Sequence, residues 1–237
     1  MKEIGWPSID SKHLVVYGDQ MMGLENEMFS QGMPIEALME KVGIQISKWL
    51  LKRRSLLQEG IVVVIGPGHN GGDGAVIAKE LFLKGYLVKV WCPFHLKKTL
   101  TINYVNYLTS LGVKRLVDPP SPEGKDLWID AVFGNNQKRK VNQEIVDLFI
   151  SKFDNNNGKI VSIDIPTGLC PNSGRPFGNA IKANYSLVVG LNKIGLLQDS
   201  ALPYIGELHY IDIGISKKQL CKIDRKILKI TYRDLKK

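Results

Sequence analysis

Nine residues constrain this chain more than any others. Gly66-Pro67-Gly68-His69-Asn70-Gly71-Gly72-Asp73-Gly74 holds five glycines between an apolar β-branched run and a helical pattern. A backbone without side chains turns tightly and approaches a ligand closely. A helix N-terminus offers unpaired N–H groups and the positive end of a dipole, which suits phosphate. The run before it, Ile61 to Ile65, reads as a strand covered on both faces. After it, Gly74 to Lys84 reads as a helix with Ala75, Ile77, Ala78, Leu81 and Phe82 facing inward. Asp73 then falls where an N-cap belongs, and His69 reads as a loop histidine with one ordinary hydrogen bond, acid–base work being the alternative.

The same alternation runs on. Strand patterns occupy Leu87 to Trp91, Leu127 to Phe133, Lys159 to Ile163, Ser186 to Val189 and Leu208 to Ile213. Helical patterns occupy Thr101 to Leu111 and Val141 to Phe153. An N-terminal helical region precedes them, with Pro34 at a first helical position and an apolar face of Ile35, Leu38, Met39, Val42, Ile46, Trp49 and Leu50. Strands alternating with helices imply βαβ units: an α/β fold, a three-layer α/β/α sandwich around a mostly parallel sheet. The expected organisation is one domain over residues 1–216 and a basic tail over 217–237.

Composition narrows the function. The net charge is +9, but Lys217 to Lys237 carries nine Lys/Arg against two Asp, leaving +2 for the rest. So uneven a distribution argues against a nucleic-acid surface on the body. The first ten residues do not read as a signal peptide, and no run approaches the roughly 18 apolar residues of a membrane span. Cys92, Cys170 and Cys221 are far apart and form no C-x-x-C pair, which fits a reducing cytoplasm.

Gly66-x-Gly68-x-x-Gly71 matches the dinucleotide fingerprint, yet the rest of that fingerprint is missing. The next strand ends Val90-Trp91-Cys92-Pro93, with no acid to hold a ribose. The one Y-x-x-x-K pair, Tyr232 and Lys236, falls in the basic tail. A nicotinamide dehydrogenase is therefore disfavoured. Two aspartates stand out instead, Asp130 and Asp164, each in or just past an apolar strand. A carboxylate there needs a cation or several donors. In open α/β sheets the ligand crevice lies at the carboxyl ends of the strands. The glycine segment, Asp130 to Gly134 and Asp164 to Gly168 all leave such ends and are expected to meet on one rim.

Taken together these segments resemble the NAD(P)H-hydrate epimerases, the YjeF N-terminal domain family. The glycine segment is similar to that family's G-x-G-N-N-G-G-D-G. Ile129-Asp130-Ala131-Val132-Phe133-Gly134 and Asp164-Ile165-Pro166-Thr167-Gly168 resemble its D-x-x-F-G and D-I-P-S-G, and Val189 to Leu196 a later segment. The resemblance implies a Rossmann-like fold, a homodimer and one potassium ion per site. It implies interconversion of the R and S forms of hydrated NADH and NADPH (NADHX and NADPHX), with a dehydratase on another chain consuming the S form. Carried across by position, His69, Asn70, Gly71, Gly72 and Asp73, with Gly134, Asn135, Asn136, Gln137, Lys138, Arg139 and Lys140, would line the substrate. Asp164 would contact the nicotinamide-derived ring as the catalytic group, protonating the leaving hydroxyl and later activating water, and Asn70, Asp130 and Thr167 would offer oxygens to potassium. Five positions differ from the family: His69 replaces Asn, Thr167 replaces Ser, and Asn135-Asn136-Gln137 replaces T-G-L. A non-catalytic scaffold of the same fold is the alternative that those changes and the basic tail keep open.

Overall fold

A computed structural model describes residues 14–221. The first ten residues and the basic tail beyond Cys221, with Tyr232 and Lys236, lie outside the described residues. Within them, β1 (Val15–Val16), α1 (Gly18–Ser30) and α2 (Ile35–Leu51) lead into β2 (Ile61–Ile65). Then follow α3 (His69–Leu83), β3 (Val88–Trp91), α4 (Thr99–Ser110), β4 (Lys114–Leu116) and β5 (Leu127–Ala131). The chain continues through α5 (Gln143–Asp154), β6 (Ile160–Ile163), β7 (Tyr185–Val189), β8 (Asn192–Lys193) and β9 (Glu207–Ile211). Seven strands form one sheet in the order β4-β3-β2-β5-β6-β7-β9, every neighbouring pair parallel. β1 and β8 make a separate two-stranded parallel pair.

β2 explains itself: five consecutive β-branched residues, all buried, with alternate side chains feeding two different cores. Ile61, Val63 and Ile65 point to the layer holding α2, α3 and α4. Val62 and Val64 point to the layer of α5, where Phe149 meets the Trp128 ring edge-on at 5.3 Å. This is the expected three-layer sandwich.

Two boundaries differ from expectation for physical reasons. Pro34 is the N-cap of α2, extended at φ −65° and ψ 137°, so Ile35 is the first helical residue. α3 begins at His69, five residues before Gly74, with Gly68 as its N-cap. Glycine costs a helix about 1 kcal/mol relative to alanine, and here close packing offsets that cost. A Cβ on Gly74 would run into Ala131 of β5, and one on Gly71 into the carbonyl of Gly66. Asp73 is thus inside the first turns of α3 and is not its cap.

Candidate functional site

Successive strands step outward from β2 through β3 to β4, and β5 then returns to the other side of β2. The carboxyl ends of β2 and β5 flank that reversal, where open α/β sheets hold their ligands. α3 starts at one end, residues 132–137 leave the other, and residues 164–168 leave β6 beside it. Between them lies a cleft of about 570 Å³, within the range of small-molecule sites. Of the expected residues, His69, Asn70, Asp73, Gly134, Asn135, Asn136, Gln137 and Asp164 line it. Gly71 and Gly72 are buried behind that wall, Gly72 against the Met39 side chain. Lys138, Arg139 and Lys140 are exposed and outside the lining, the stem of Lys140 lying beside Gly178.

Asp164 is the best-held acid in the cleft. It sits just past β6 in the left-handed region, at φ 68°, a conformation rare for residues other than glycine and concentrated at functional sites. Its Oδ1 accepts from Lys193 Nζ at 2.6 Å and Val189 N at 3.3 Å, and its Oδ2 from Asn135 N at 2.8 Å. Lys193 is 1 % exposed and also donates to the carbonyl of Val189. Two further acids crowd this pair. Burial pushes Glu25 up to about 7, with Lys193 pulling it down and Asp164 pushing it further up. Asp73 is raised well above the carboxylate range by burial, then by Glu25 and Asp164. Also on the cleft wall, burial and then the charge of Lys98 lower the His69 imidazole.

The residues that differ from the family pattern stitch the site together. Asn135 Nδ2 donates to the carbonyl of Gly18, fastening residues 134–137 to the start of α1. Gln137 is buried, donating to the carbonyl of Pro166 and accepting from Gly168 N at 2.6 Å. It locks the turn after β5 to the turn after β6.

Beneath these turns lies Asp130, wholly buried. Its Oδ1 accepts from Thr167 Oγ1 at 2.7 Å and Val132 N at 3.2 Å; its Oδ2 accepts from Ser162 Oγ and Thr167 N, each at 3.0 Å. Burial raises it to about 6 against the pull of these bonds. Thr167 Oγ1 also accepts from Phe133 N. The Phe133–Gly134 peptide therefore lies between Thr167 and Asn70, whose Oδ1 is beside Gly134. Among the described residues Asn70 Nδ2 is buried without a partner. Turning that amide over puts an acceptor oxygen in its place. An all-oxygen set backed by a buried carboxylate suits a hard cation such as potassium, so the donor set fits.

Sequence reasoning missed Glu25, Lys193 and Lys98. A lysine in the apolar stretch Val189 to Leu196 was the one available signal for Lys193. Glu25 lies on a helix whose packing on the rim is fixed by partners more than a hundred residues away, such as Gly18 with Asn172.

Comparison with known proteins agrees with this architecture. A family model described as YjeF-related protein N-terminus matches residues 35–195. The chain is 40% identical over 210 residues to the bifunctional NAD(P)H-hydrate repair enzyme Nnr of Synechocystis sp., covering 88% of this chain and 40% of that protein. It therefore spans about two fifths of the length of that bifunctional relative. It is 32% identical over 192 residues to the NAD(P)H-hydrate epimerase of Lentilactobacillus buchneri, covering 78% of this chain and 86% of that one. The crystal structure of yeast ynu0 superposes with a TM-score of 0.69 at 22% identity, covering 83% of this chain and 87% of that one, which supports the fold.

Proposed function

The chain belongs to the YjeF-related protein N-terminus family, and on that premise we propose that it interconverts the R and S forms of hydrated NADH and NADPH. The observation that carries this reading is Asp164, a buried carboxylate held in strained backbone on the wall of a cleft that the first turn of α3 also lines. The first turn of α3 and Lys98 meet the phosphates, and Asp164 meets the hydrated ring. In that ring C6 carries a hydroxyl beside the ring nitrogen. The nitrogen lone pair expels the hydroxyl, leaving an iminium-like ring, and water returns to the opposite face. A fixed carboxylate next to the ring stabilises that positive charge where it develops. Phe133 and Val132 give the cleft wall an apolar stretch beside it. Asn70 and Thr167 would hold a potassium ion, with Asp130 as the charge behind them; when bound, the ion supplies positive charge that offsets Asp130 and fastens the three turns together.

The S form would pass to a dehydratase. A homodimer in the cytoplasm completes the reading; Cys92, Cys170 and Cys221 are all free thiols, in keeping with a reducing compartment. Among the described residues no helix is long and apolar enough to cross a membrane. The test is to add purified protein to R-NADHX and follow S-NADHX by chromatography. Interconversion well above the spontaneous rate is expected; a rate equal to background overturns the reading in favour of a non-catalytic scaffold.

A further inference from the structure

The epimerisation needs a proton donor for the departing hydroxyl, and Asp164 is poorly placed to be one. Both of its oxygens already accept hydrogen bonds, one of them from an ammonium 2.6 Å away. We propose that Glu25 is the general acid and base of the cleft: its carboxyl gives a proton to the C6 hydroxyl and recovers one from the water that adds back.

Position supports this assignment. Met21 and Glu25 are one helical turn apart on α1 and so share a face. Met21 is fully buried against Gly190, and its sulfur accepts from Leu191 N. Gly190 follows Val189, whose N–H holds Asp164. The face of α1 that carries Glu25 is thereby laid over the turn that orients Asp164, and both side chains line the one cleft. Among the described residues Glu25 has no hydrogen-bond or ion-pair partner. Among those residues no other side chain competes for its carboxyl.

Charge supports it as well. Glu25 and Asp73 both feel the charge of Asp164, which is paired with the buried Lys193, and Lys98 and His69 line the same cleft. Three carboxylates cannot all ionise beside one lysine. Lys193 is committed to Asp164, so the proton is retained on the other two, and Glu25 titrates near neutrality. Of two acids facing one cleft, one tied to a lysine and one without a partner, the second is the one placed to exchange a proton. The step balances. The C6–O bond breaks as the ring nitrogen supplies its electron pair, Glu25's proton leaves with the hydroxyl as water, and the reverse addition on the other face returns a proton to Glu25.

This assignment rests on the epimerase reading, and the experiment separates the two. Full-chain parent, Glu25→Gln, Glu25→Asp and Asp164→Asn proteins are assayed on R-NADHX from pH 5 to 9, with folding checked by thermal melts. Glu25→Gln is expected to lose about 100-fold or more in kcat, with little change in KM. The parent's fall in rate as pH rises through about 7 should disappear with it. Glu25→Asp is expected to recover part of the rate with a displaced pH profile. Should Glu25→Gln not fold, the Glu25→Asp profile decides, an unchanged one overturning the assignment. A Glu25→Gln enzyme with the parent's kcat and pH profile overturns the role of Glu25 and leaves the epimerase standing. A parent at background rate overturns the epimerase reading and the Glu25 assignment with it.

Discussion

Single residues carry most of the electrostatic stress in this protein. Lys193 and Asp164 are buried together, and removing one partner of such a pair leaves an uncompensated charge at a cost of about 3–5 kcal/mol. Lys193→Met is expected to lose that much in urea denaturation, and the double change Lys193→Met with Asp164→Asn to regain most of it. Equal stabilities for the single and double variants would mean that the pair is not coupled. Glu25 makes a contrasting prediction about pH. Its folded-state pKa, about 7, lies above its ordinary value near 4.5. The folded state therefore holds a proton that the unfolded state has lost across that window, and stability falls as pH rises through it. The loss is roughly 2 kcal/mol once partial exposure is allowed for. Glu25→Gln should remove that part of the slope, making the variant relatively more stable than the parent at pH 8 than at pH 5. Asp164 was legible in the sequence as an acid ending an apolar strand. Glu25 was not, because nothing in its local spacing distinguishes it from the exposed acids of any amphipathic helix.

At the scale of elements, most strands are legible because buried parallel strands are written as apolar β-branched runs. β2 matches residue for residue, β3, β5, β6, β7 and β9 shift by one or two at their ends, and the short β1, β4 and β8 carry no strand pattern that the sequence reading assigned. The glycine segment was only half legible. Its role at a strand-to-helix junction was visible, but glycines read as helix breakers, and the packing that rescues them belongs to β5 and α2, remote in sequence. Four of the five glycines now have their own reason. A Cβ on Gly66 would strike the backbone of Val132, which cannot yield without moving the turn after β5, whereas nothing lies within 4 Å of a Cβ on Gly68. Gly66→Ala is expected to cost about 2 kcal/mol or more through overpacking. Gly68→Ala should change stability by less than about 1 kcal/mol, and chemical denaturation of the two side by side checks both. If Gly68→Ala proved the more damaging, packing would not be the reason for the glycines.

Over the whole molecule the decisive feature is strand order. The reversal between β2 and β5 brings the turns after β2, β5 and β6 to one rim. Their lengths and motifs were readable; that Asn135 and Gln137 tie two of them to each other and to α1 was not, since those hydrogen bonds span up to 117 residues. The rim's remaining imbalance is the buried Asp130 beneath Thr167 and the unpartnered Asn70 amide. A cation bound there would be a ligand of the folded state only, so it should stabilise by mass action, about 3 kcal/mol at a hundredfold excess over Kd. For a domain of this size that is a rise of about 5–12 °C in Tm. Melts in potassium chloride and in tetramethylammonium chloride at equal ionic strength isolate the effect, because the larger cation screens surface charge equally and cannot enter an oxygen-lined recess. Asn70→Ala should melt at nearly the same temperature in both salts, while Lys138→Ala, outside the cleft wall, should keep the parent's potassium increment. Parent protein that melts at one temperature in both salts would remove the ion from the site and leave the hydrogen bonds of Thr167 and Ser162 as the whole means by which Asp130 is held.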